Sequence, residues 1–148
     1  MEHSDFIGFL IRAKKAAYAG KGAETASSKP NSHDLVYEEN GWKYLDTYLG
    51  GKRFTGEEAV WQSDIPVWAM NYSGRITGGH FNGDFLKLAL RNVPKEAPYR
   101  GPGHFEDGPY AYFCKVRGTP EWFQGYEEIQ YLGEKIYECY FHGGGVEA

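Results

Sequence analysis

Residues Glu121–Gly144, EWFQGYEEIQYLGEKIYECYFHGG, decide the fold, because the chain says nearly the same thing earlier. Phe54–Gly74, FTGEEAVWQSDIPVWAMNYSG, repeats the grammar. Each copy runs Phe-x-Gly, a Glu-Glu pair, an apolar and an aromatic residue, a turn, then a strand of alternating aromatics ending in Ser/His-Gly. Such self-similarity marks an internal duplication. Aligned on the acidic pair, with Tyr126 as one inserted residue, Glu57 matches Glu127 and Glu58 matches Glu128. Past the turn, Val67, Trp68, Met70 and Tyr72 match Ile136, Tyr137, Cys139 and Phe141. Upstream, Tyr44, Asp46, Tyr48 and Gly50 fall at the offsets of Tyr112, Cys114, Val116 and Gly118.

Outward from these copies, Phe6, Phe9, Leu10, Ala13, Ala16 and Ala17 recur at helical spacing behind Ser4 and Asp5, which suit an N-cap. Arg12, Lys14 and Lys15 fall mostly off that stripe, and Gly20 and Gly22 are placed to end the helix. Leu35–Tyr37 and Trp42–Leu49 read as strands about an Asn40-Gly41 turn. Phe81–Asn92 reads as a second, well-buried helix. Pro94–Pro109 reads as an irregular excursion, and Tyr110–Arg117 as the strand before the second copy. The expected fold is α+β: a curved antiparallel sheet of about seven strands with two helices on one face, built from duplicated α-β-β-β units. The 148 residues form one expected domain, 1–148, with pseudo-repeats at roughly 1–79 and 80–148.

Composition narrows the function. Aromatics make up 17% of the chain, led by twelve Tyr, so many rings carry a hydroxyl that needs a partner. The net charge of −4 and the scatter of Lys and Arg along the chain argue against a nucleic-acid surface. Cys114 and Cys139 suggest no disulfide framework, and no stretch is apolar enough for a signal peptide or a membrane span. The expectation is a cytoplasmic protein that needs no membrane.

The candidate site follows from strand parity, since alternate residues share a face. Glu127 shares its side with Ile129 and Tyr131, and Glu57 shares its side with Ala59 and Trp61. A carboxylate among rings needs a cation or hydrogen-bond donors. One reading is a salt bridge or tyrosine contact, with Arg75, Arg100 or Lys52 as donor; Arg100 otherwise reads as an exposed loop arginine. The other is a ligand pocket of Glu127, Glu57, Tyr131, Trp61, Tyr112, Tyr44, Tyr137 and Trp68, suited to a flat or cationic small molecule. Cys139-x-x-His142 does not make a metal site, because positions i and i+3 of a strand face apart. No catalytic elbow, phosphate loop or cofactor motif is present, so neither a metal nor a cofactor is expected.

FLIRAKKAAYAGKGAE (Phe9–Glu24), YLDTYLGG (Tyr44–Gly51), GEEAVW (Gly56–Trp61), MNYSGR (Met70–Arg75), WFQGYEEI (Trp122–Ile129) and YECYFHGG (Tyr137–Gly144) resemble an uncharacterised bacterial domain family of unknown function. The resemblance implies no activity and no catalytic residues. Members occur alone or C-terminal to Cro-repressor-like helix-turn-helix regulators, which implies a sensor role and a regulator as partner. The leading expectation is a non-catalytic small-molecule-binding domain, with a homodimer among its assemblies. The alternatives are an enzyme using paired Glu/Tyr acid–base chemistry, or a protein-interaction module.

Overall fold

The computed structural model describes residues 3–18 and 24–148. Within them, helix α1 (His3–Tyr18) precedes strands β1 (Glu24–Thr25), β2 (His33–Glu39), β3 (Trp42–Gly50), β4 (Arg53–Gln62) and β5 (Ile65–Ile76). Helix α2 (Gly83–Arg91) then precedes β6 (His104–Asp107), β7 (Tyr110–Thr119), β8 (Trp122–Tyr131) and β9 (Glu134–Gly145). Gly20 and Gly22, read as the stop of α1, lie outside the described residues.

All strands join one antiparallel sheet in the order β1-β2-β3-β4-β5-β9-β8-β7-β6. This corrects the expected curved sheet of about seven strands: the sheet is open, uncurved and nine-stranded, with β1 and β6 as its edges. The two strands that escape a reading of the sequence are those edges. Their described residues are mostly polar and exposed, so neither has an apolar alternation to betray it. Tight turns set the register, as both central residues have positive φ in Asn40-Gly41, Ser63-Asp64 and Leu132-Gly133.

Strands β2-β3-β4-β5 and β6-β7-β8-β9 lie in mirrored order about the β5–β9 pair, with β1 as an unmatched ninth strand, and at that pair Tyr72 is the cross-strand partner of Phe141. Strands β4 and β8 are 10 residues long, and β5 and β9 are 12. Laid end to end, they put Phe54 on Phe123, Gly56 on Gly125, Trp68 on Tyr137 and Glu58 on Glu127. No insertion at Tyr126 is needed, and the acidic equivalence shifts by one: Glu58, not Glu57, is the counterpart of Glu127. The Phe-x-Gly motif now has a physical reason. A Cβ on Gly56 would stand 2.5 Å from the Tyr72 hydroxyl, and one on Gly125 would stand 2.2 Å from Cζ of Phe141. Each glycine makes room for the ring of a central strand.

Both helices cover the same face. On α1, Phe6, Phe9, Leu10, Ala13 and Ala17 are buried, with Phe6 against Trp42 and Trp68 and Phe9 stacked on Trp42. On α2, Asn82 caps the first turn by accepting from the amides of Asp84 and Phe85, and Phe85 stacks on Tyr110. Each fully buried Phe or Leu among these contributes about 1.5–3 kcal/mol of burial. The opposite face of the sheet carries no helix among the described residues.

Candidate functional site

Beneath the helices the core is polar as well as aromatic. Glu127, at the middle of β8, is 0% exposed. Arg100 reaches it from the loop after α2 with two hydrogen bonds, Nε to Oε1 at 3.0 Å and Nη2 to Oε2 at 2.8 Å. The Tyr112 hydroxyl donates to Oε1 at 2.6 Å and the Tyr137 hydroxyl to Oε2 at 2.7 Å. Burial pushes the Glu127 carboxyl up, but Arg100 and the two tyrosines outweigh it and hold the group below its ordinary range. Burial would lower the Arg100 guanidinium, yet Glu127 keeps it well above its usual value. The arginine read as exposed is in fact buried, and it also packs on the Tyr72 ring.

The first half builds its own version. Glu58 is buried on β4, and its Oε1 accepts from Lys14 Nζ at 2.7 Å and from the Tyr44 hydroxyl. Lys14, read with Arg12 and Lys15 as mostly off the apolar stripe, sits four residues after Leu10 on the buried side of α1; it also donates to the Tyr99 carbonyl at 2.6 Å. Burial lowers its pKa against the pull of Glu58. Glu58 Oε2 and the Tyr18 hydroxyl are buried without a hydrogen-bond partner. Asp46 lies beside them, accepting from the Tyr72 hydroxyl, and is pushed up to about 7 by burial and then by Glu58. The halves thus differ in one row: Asp46-Glu58-Met70 across β3, β4 and β5 answers Cys114-Glu127-Cys139 across β7, β8 and β9.

The expected pocket residues therefore scatter. Glu127, Tyr112 and Tyr137 form one cluster, and Tyr44 joins Glu58. Glu57 is exposed on the uncovered face. Trp68 packs between Phe6 and Phe123 and donates its indole N–H to the Pro120 carbonyl. Tyr131 stacks on His80 at the sheet end, and Trp61 is half-buried beside the β4 bulge. Of the three candidate donors, Arg100 is the partner of Glu127, while Arg75 serves Glu138. Sequence reasoning misses Glu58, Lys14 and Asp46; the helical spacing of Lys14 and the uninterrupted Phe-x-Gly alignment are the signals that could have found them.

The uncovered face has another character. Glu138 of β9 takes Arg75 Nε at 2.7 Å and Lys135 Nζ at 2.9 Å, which hold its carboxyl below the ordinary range. Next to it Tyr140 is 62% exposed and packs against Tyr126, ring centroids 4.9 Å apart. An open cleft of about 660 Å³ lies on one side of Tyr140, floored by Thr55, Ser73 and Gly74. A second of about 410 Å³, between Lys115, Arg117, Gln124 and His142, lies on the other.

No described helix is long and apolar enough to cross a membrane, and no group of three or more His, Cys, Asp or Glu among the described residues is set to hold a metal. Neither the curated proteins nor the solved structures contain a match to the chain. A family model does match, over residues 46–146, a span that includes Arg100 and Glu127 but not Lys14 or Tyr44. The chain belongs to that family, described as a domain of unknown function (DUF5680).

Proposed function

We propose that this domain is an interaction module that docks a macromolecular partner on the uncovered face of its sheet. The observation that carries the reading is Tyr140. It stands 62% exposed on β9, one of the two strands at the centre of a nine-stranded sheet. A ring there gains nothing from the core and is flanked by clefts on both sides. Trp122, 83% exposed on the same face of β8, extends the apolar surface.

The buried carboxylates support the module rather than a pocket. Both oxygens of Glu127 are taken by Arg100, Tyr112 and Tyr137, so a cationic ligand would have to displace the arginine. Acid–base chemistry by Glu58 and Tyr44 has a favouring observation in the short contact between them and in the raised Asp46. Tyr44 and Glu58 are nevertheless 0% exposed, with Lys14 of α1 lying on Glu58. The test is site-specific photocrosslinking in expressing cells. A benzophenone side chain at Tyr140 should give discrete adducts, and one at Lys87 on the exposed side of α2 should not. Equal yields at the two positions, or none at Tyr140, would overturn the proposal.

A further inference from the structure

The two clefts beside Tyr140 are unlike the rest of the molecule in charge. Arg53, Arg75 and Lys135 line the larger with a single carboxylate, Glu138. Lys115 and Arg117 line the smaller with none. Five cations against one carboxylate thus line these two clefts, in a chain whose formal charge is −4. Arg75 and Lys135 are committed to Glu138, but Arg53, Lys115 and Arg117 make no ion pair among the described residues. Glu57 and Glu128, on the same face, line neither cleft, and Glu128 is bonded to Tyr126 and Gln130.

Registry places these groups in a line. Leu49, Thr55, Ser73, Tyr140, Tyr126 and Lys115 are successive cross-strand partners from β3 to β7. At strand spacings of about 4.8 Å that row spans roughly 24 Å. It runs from the arginine cleft, over two small hydroxyl residues whose Oγ atoms are 2.7 Å apart, across two rings, to the Lys115–Arg117 cleft.

Building on the docking reading above, we infer that this row binds single-stranded nucleic acid, with bases on Tyr140 and Tyr126 and phosphates over the flanking cations. Rings set between two cationic clefts match a polymer that alternates flat apolar faces with negative charge. An acidic polypeptide would use the cations and leave the rings without a partner. Stacking on tyrosine tolerates any base, so the binding carries little sequence preference. The row is long enough for about four nucleotides, the short end of single-strand sites.

The test is fluorescence anisotropy of the full chain with 5′-fluorescein-labelled U12 and dT12 at 50 and 200 mM NaCl. Binding should weaken as salt rises. Tyr140→Ala should weaken it about tenfold, and Tyr140→Phe, which keeps the ring, should retain it. Arg53→Gln with Arg117→Gln should weaken binding and flatten the salt dependence by about 0.7 in log–log slope for each phosphate no longer neutralised. All three positions are on the surface, and a circular-dichroism melt checks that each variant is folded. Failure of the folded wild-type chain to bind either oligonucleotide at 50 mM salt would overturn the inference. So would binding that these substitutions leave unchanged. Equal binding of fluorescein-labelled polyglutamate would also overturn it, leaving the docking face to an acidic protein. Absence of crosslinking at Tyr140 sinks the docking proposal itself, so the two failures are distinguishable.

Discussion

Asp46 is the direct cross-strand partner of Glu58, carboxylate opposite carboxylate, under a layer of helix. The groups around the pair are Lys14 from α1, Tyr44 from β3, Tyr72 from β5 and Arg100 from the loop after α2. With Glu127 included, three buried carboxylates share two buried cations, and the shortfall is felt at Asp46.

The pH dependence of stability follows from that shortfall. Burial and then Glu58 push the Asp46 carboxyl up to about 7 from an ordinary 3.8, so between those pH values the folded chain holds a proton that the unfolded chain has released. Stability from this group is therefore full below about pH 4, declines as pH rises towards 7, and is level above. Asp46→Asn keeps the acceptor for the Tyr72 hydroxyl and removes the charge. It should stabilise the chain by roughly 2–4 kcal/mol at pH 8 and change it little at pH 4. Thermal melts across pH 4–8 read this directly, and an Asn variant less stable than wild type at pH 8 would contradict it.

Glu127→Gln is expected to do the reverse. It leaves the Arg100 guanidinium buried without its counter-charge and should cost about 3–5 kcal/mol. Glu57→Gln, on the exposed face, should stay within about 0.5 kcal/mol. Chemical denaturation at pH 7 compares the two. Because Glu127 is held below its ordinary range, its contribution is present at neutral pH and is lost as pH falls through the folded value.

Cys114 and Cys139 flank Glu127 on β7 and β9, two strand spacings or about 10 Å apart, too far for a disulfide. Burial pushes both thiols up to about 12. A thiol reagent should count two groups per chain after denaturation without reductant, and should react far more slowly with the folded chain at pH 8. Fewer than two groups, or prompt reaction of both in the native state, would count against this placement.

Gly125→Ala should destabilise the fold by several kcal/mol. Its Cβ has no space beside the Phe141 ring, and that ring sits at the pairing that joins the two halves. The double substitution Gly125→Ala with Phe141→Leu should recover part of the loss in a melt; a merely additive result would show that the ring is not the obstacle.

Parity is the most informative signal in the sequence. It puts Glu127 on the core side with Ile129 and Tyr131, and the structure agrees that Glu127 and Ile129 are buried. Parity reports a face, however, and says nothing of depth or partner. The cation for Glu127 comes from Arg100, 27 residues away, and that for Glu58 comes from Lys14, 44 residues away. No local pattern announces contacts of that range. The one-residue insertion at Tyr126 costs more, because it pairs the exposed Glu57 with the buried Glu127 and hides Glu58. Charge is hard to read along the chain for a related reason: cations from β4, β5, β7 and β9 are scattered in sequence and meet only once the sheet is assembled.

Strand length in this sheet tapers from its two 12-residue central strands to a four-residue edge at β6. An open sheet is a template for any chain that can add a strand, and long bare edges invite fibrils. Here the four-residue stub of β6 offers a newcomer few backbone donors and acceptors with which to hold a register. An edge so short gives an added strand little to hold at β6, so a partner of the uncovered face there meets side chains rather than backbone.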